Sequence, residues 1–73
     1  MNRYHINIFY SEEDACYVAD TPDLENCSAF GETPQQALDE MLAAQKLWLD
    51  DAVECGREIP KQSYKPIIYR AVV

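Results

Sequence analysis

Thr33 to Gly56, TPQQALDEMLAAQKLWLDDAVECG, reads as one long amphipathic helix with marked ends. Thr33 suits the N-cap, where its hydroxyl can accept a bond from an unpaired N–H of the first turn. Pro34 fits the first helical position, which needs no N–H. Gln36, three residues after Thr33, completes the pattern of a capping box. Gly56 can take the left-handed conformation that closes a helix. Between these ends Leu38, Met41, Leu42, Trp48, Leu49, Ala52 and Val53 recur at helical spacing. Asp39, Lys46, Asp50 and Glu54 fall opposite them. Each large apolar side chain gains roughly 1.5–3 kcal/mol on full burial. The helix must therefore lie on whatever the flanking segments build.

Those segments read as strands. Arg3–Tyr10 (RYHINIFY) alternates, with Tyr4, Ile6, Ile8 and Tyr10 on one side and His5, Asn7 and Phe9 on the other. Ser11–Asp14 is a polar turn, and Ala15–Asp20 (ACYVAD) returns as the second arm of a hairpin. Residues 21–26 (TPDLEN) form a loop fixed by Pro22, and Cys27–Phe30 is a short third strand. Pro60 keeps the connector after Gly56 out of regular structure. Ile67–Val73 (IIYRAVV) is apolar on both sides and reads as a last, covered strand. The order β-β-β-α-β predicts an α+β fold of two layers. An antiparallel three-strand meander gains one parallel strand through a right-handed crossover, with the single helix on one face. The other face is expected to carry His5, Asn7, Phe9, Tyr17 and Ala19. Being only partly polar, that face or a sheet edge is expected to be covered in an oligomer or by a partner.

Seventy-three residues make one domain, 1–73, near the lower size limit for a self-sufficient core. No apolar run is long enough to span a bilayer and the N-terminus lacks a signal-peptide pattern, so the expected location is cytoplasmic. Cys16, Cys27 and Cys55 are an odd set without a close pair, which points to free, packed thiols rather than disulfides or zinc. The net charge of −7 repels phosphate backbones and so disfavours direct nucleic-acid binding. The same charge suits a basic protein partner.

A spaced set of residues resembles the HicB-like antitoxin family: Tyr17-Val18-Ala19, Pro22-Asp23-Leu24, Cys27-Ser28-Ala29, Gly31-Glu32-Thr33-Pro34, Ala37-Leu38, Trp48-Leu49, and Gly56 with Ile59-Pro60. The likeness spans Tyr4 to Pro60. It implies a truncated ribonuclease-H-like fold. It also implies a function in a toxin–antitoxin system: binding and neutralising a small basic HicA-type ribonuclease toxin by covering its active or RNA-binding surface. The chain departs from the pattern at Glu25-Asn26, where family members often have Pro-Gly. It also runs only to Val73, so operator binding through the DNA-binding module many members carry is not expected of it. The alternative is a stand-alone HicB-like homo-oligomer with a structural or regulatory role.

Catalysis is not expected. Ribonuclease-H chemistry needs carboxylates converging on metals from the first strand, the helix and the last strand. RYHINIFY and IIYRAVV contain none, and Glu40 alone on the helix builds no site. His5, the only histidine, has Asn7 as its one polar neighbour on the same side. No cofactor is expected. The candidate partner-binding residues are an acidic rim of Glu12, Glu13, Asp14, Asp20, Asp23 and Glu25, together with Leu47. Leu47 lies with Ala43 amid Glu40, Asp50, Asp51 and Glu54 on the helix's polar side.

Overall fold

Alternating side chains and a turn of four polar or small residues do produce a hairpin. A computed structural model describes residues 4–66. Strands β1 (Asn7–Ser11), β2 (Cys16–Asp20) and β3 (Ser28–Gly31) form an antiparallel sheet in that order, and α1 (Pro34–Glu54) packs on one face. This is an α+β fold. The expected parallel strand, Ile67–Val73, lies outside the described residues.

Each strand differs slightly from its expected span. β1 starts at Asn7, although Tyr4 and Ile6 still pack against the core from the preceding segment. Ala15 belongs to the turn, at φ 53, so β2 starts at Cys16. Asn26 takes φ 58, the left-handed conformation a glycine would supply. Glu25-Asn26 therefore turns the chain without Pro-Gly, since Asn tolerates that region.

The helix ends follow their sequence signals. Thr33 is extended (φ −132, ψ 160) and its Oγ1 accepts from the Gln36 N–H at 3.1 Å. The return bond of the capping box is displaced by one residue: Gln36 Oε1 accepts from the N–H of Glu32 at 2.6 Å, not of Thr33. At the other end Gly56 sits at φ 71. Its N–H donates to the Val53 carbonyl at 3.2 Å, and the Arg57 N–H donates to that of Ala52 at 2.8 Å, the paired bonds of a Schellman motif.

The core joins Ala19, Leu24, Cys27, Ala29, Ala37 and Met41, flanked by Tyr4, Ile6, Tyr17, Ala44, Trp48 and Leu49. The helix packs most extensively on β3, less on β2 and least on β1. This offset corrects two expectations. Leu42 and Val53, expected in the core, are exposed, while Gln45 is buried in their stead. Gln45 Nε2 donates to Thr21 Oγ1 at 2.7 Å, and that hydroxyl donates to Met41 Sδ at 3.0 Å. A buried amide costs little once its hydrogen bonds are made.

The open face of the sheet is also corrected. Register pairs Phe9 with Val18 and Val18 with Phe30, so these three share a side. Ile8 pairs with Ala19 and Tyr10 with Tyr17. Tyr17 and Ala19 therefore face the helix, where both pack in or against the core. A hairpin loop of four residues must pair odd positions with even ones, which makes Val18 the partner of Phe9.

Candidate functional site

Helical spacing gathers Ala43, Leu47, Glu40, Asp51 and Glu54 on the outward side of α1, away from Met41 and Ala52. Leu47 is 71% exposed, and Ala43, Glu40, Asp50, Asp51 and Glu54 are exposed around it. Lys46 Nζ lies 2.9 Å from Asp50, and Arg57 pairs with Asp51. Glu40 and Glu54 make no ion pair among the described residues. The result is a small apolar spot with a carboxylate fringe, the chemistry that receives an aliphatic side chain flanked by lysine or arginine.

The other acidic candidates divide into two groups. Glu12, Glu13 and Asp14 occupy the β1–β2 turn. There Ser11 Oγ donates to the Asp14 carboxylate at 3.0 Å and accepts from the Asp14 N–H at 3.2 Å. Asp20, Asp23 and Glu25 lie at the opposite end of β2. Four residue steps along a strand separate the groups by about 13 Å. Glu12, Glu13 and Asp14 are thus contiguous in one turn, and the length of β2 separates them from the other three.

Asp23 has a task within the chain. Its carboxylate accepts from Ser63 Oγ at 3.0 Å, the Ser63 N–H at 3.2 Å and the Tyr64 N–H at 3.1 Å. The Tyr64 ring lies 4.8 Å from that of His5, and the Tyr4 hydroxyl donates to the Pro60 carbonyl. Nearby, Trp48 Nε1 donates to the Glu25 carbonyl at 2.9 Å, and the Arg57 guanidinium sits 5.3 Å from the centre of the Trp48 ring. These contacts tie the connector after α1 to the β2–β3 loop and the start of β1. Sequence reasoning did not anticipate this clamp. Its one local signal is Asp23 beside Pro22, a carboxylate held at a fixed turn.

His5 Nε2 lies 2.6 Å from Asn7 Oδ1, an amide rather than an acid or nucleophile. Among the described residues no three His, Cys, Asp or Glu side chains converge as a metal site. The three cysteines are free, and burial, with a smaller push from the Asp20 charge, raises the pKa of the Cys27 thiol. Among the described residues, no helix is long and apolar enough to cross a membrane.

Over 53 residues the chain is 32% identical to the UPF0150 protein ssl0259 of Synechocystis sp., a match covering 73% of each protein. The chain belongs to the UPF0150 family. No family model matches the chain, and no solved structure matches it.

Proposed function

We propose that this UPF0150 protein is an antitoxin-like binding protein of the cytoplasm, acting by stoichiometric contact and without a catalytic step. Its partner would be a small basic HicA-type toxin that cleaves mRNA, neutralised by covering the toxin's active or RNA-binding surface. The observation that carries this reading is the spaced set of residues from Tyr17 to Pro60 that resembles the HicB-like antitoxins, in a chain of the UPF0150 family. The acid-fringed Leu47 spot supports it, because a basic ribonuclease presents the complementary charge. With 13 acidic against 6 basic residues, direct binding of this domain to nucleic acid is disfavoured.

The finer fold in this proposal is the truncated ribonuclease-H-like one, with residues 67–73 running parallel to β1. The clamp on Asp23 and the Tyr64–His5 contact support it, since both hold the chain beside the start of β1 as it approaches Pro66. Seven residues extended at about 3.3 Å each reach about 23 Å, enough to run the length of a five-residue strand.

The test is co-expression with the protein encoded in the adjacent reading frame, read as growth rescue and co-purification. Rescue with a stable complex, weakened by Leu47→Asp, is the expected result. A neighbour that is harmless, or toxic but not held, would overturn the reading for that pair. The second reading is a stand-alone homo-oligomeric domain with a structural or regulatory role. It is favoured by one observation, the exposed Phe9 and Phe30 on the open sheet face.

A further inference from the structure

Residues 57–66 run without regular secondary structure, and all but Pro60 and Pro66 are exposed. None of them joins the core cluster. Their hold on the body of the molecule centres on one carboxylate. Asp23 Oδ1 accepts from Ser63 Oγ and from the Tyr64 N–H, and Oδ2 accepts from the N–H groups of Ser63 and Tyr64.

The two sides of this contact are unequal. Asp23 stands on a loop braced by backbone bonds of Thr21 with Cys27, Leu24 with Thr21 and Cys27 with Leu24, and Leu24 is 2% exposed. Arg57, where the connector begins, is fixed by its N–H bond to the Ala52 carbonyl and by its contacts with Asp51 and Trp48. The residues beyond it have neither core packing nor a strand ladder, so the connector is the side free to move. Bonds to a charged acceptor are strong ones. These are exposed, so water competes for both partners and opening stays accessible.

We propose that residues 58–66 form a latched strap, which opens as a unit while the sheet and α1 stay folded, with Asp23 as the latch. The Tyr4 hydroxyl on Pro60 and the His5 ring beside Tyr64 add to the closed state. Closure has a chemical consequence. Residues 59–66 include Lys61 and Lys65 and no acid. The strap thus carries positive charge to the end of β2 that holds Asp20, Asp23 and Glu25, and it takes both oxygens of Asp23. Opening returns all three carboxylates to a basic partner, which makes the closed strap an autoinhibitory contact. That consequence rests on the antitoxin reading; the latch itself does not.

Limited trypsin digestion of the native chain, with peptide masses read at early times, tests the latch. The Lys61–Gln62 bond lies in the strap and Lys46–Leu47 within α1, so the first reports strap opening and the second loss of the helix. Cleavage tracks the open population when reclosing is fast. Wild type should be cut after Lys61 well before Lys46. Asp23→Ala should speed the cut after Lys61 by about tenfold, the scale of losing hydrogen bonds to a charged group, and leave Lys46 unchanged. Ser63→Asp sets a second carboxylate against the first and should act alike. Ser63→Ala keeps both N–H bonds and should act far less. The latch is overturned if both bonds are cut together in wild type, or if Asp23→Ala speeds both equally or neither. Hydrogen exchange tests the autoinhibitory role: the Tyr64 amide should exchange faster in a complex with the toxin than in the free chain. Equal or slower exchange overturns that role. A toxin that is not held at all fails the antitoxin reading and leaves the trypsin pattern standing.

Discussion

Gly31 marks the closest approach of β3 and α1. A Cβ there would lie 2.4 Å from the Ala37 nitrogen and 2.8 Å from the Gln36 carbonyl carbon. Both are backbone atoms of the first helical turn and cannot swing aside as a side chain would. Gly31→Ala must push the sheet and helix apart, and we expect a loss of about 3 kcal/mol, the upper end for overpacking. Urea denaturation checks this, with a midpoint unchanged from wild type as the refuting result. Cys27 gives a prediction in pH. Its folded pKa is raised by burial and, to a smaller extent, by the Asp20 charge. The unfolded chain therefore loses this proton first as pH rises. The stability is full below the ordinary thiol range and declines as pH climbs from roughly 8.5 through the folded value. Melting temperatures from pH 7 to 10 should fall more steeply for wild type than for Cys27→Ala. Parallel curves would show that the thiol ionises equally in both states.

At the level of elements, the helix carries its own boundaries. Thr33→Ala removes the acceptor of the Gln36 N–H and is expected to cost about 1 kcal/mol. Gly56→Ala meets no atom within 4 Å, but places a Cβ at φ 71, for a similar cost of about 1 kcal/mol. Thermal melts of both variants test whether the caps act alike for different reasons, hydrogen bonding at one end and backbone conformation at the other. These ends were legible because Thr-Pro and Gly act within a few residues of themselves. The hairpin was legible for the same reason. The partners of α1 were not. Periodicity marks an apolar stripe but cannot say which part of it the sheet covers. That depended on α1 lying over β3 and β2 rather than β1, which left Leu42 and Val53 outside. Gln45 was invisible as a core residue because its hydrogen-bond partner, Thr21, comes from another segment. Leu24 was hidden by the turn residues around it. From the sequence the candidate site is only a set of single residues, from Glu12 to Leu47. Its division into two acidic groups and the engagement of Asp23 depended on strand length and on the path of the connector.

Across the whole molecule, charge and apolar surface respond to salt in opposite directions. The net charge is −7, and the described ion pairs, Lys46–Asp50 and Asp51–Arg57, are both well exposed. Such pairs contribute little, whereas the excess of carboxylates repels itself in the folded state. Screening from about 20 mM to 500 mM sodium chloride shortens the Debye length several-fold and should remove more repulsion than attraction. The melting temperature is expected to rise by a few degrees, a gain of up to about 1 kcal/mol for a chain this small. A fall would mean that attractive pairs dominate. The same titration separates the two surfaces. Capture of a basic toxin by carboxylates around Leu47 should weaken as salt rises, mainly through a slower association rate. Self-association through Phe9 and Phe30, on the second reading, should hold or strengthen, because two acidic copies repel less and apolar burial is not screened. Association rate and sedimentation mass, followed over one salt series, therefore give opposite slopes if each surface has the occupant its reading assigns to it. Parallel slopes would mean that one kind of force governs both contacts.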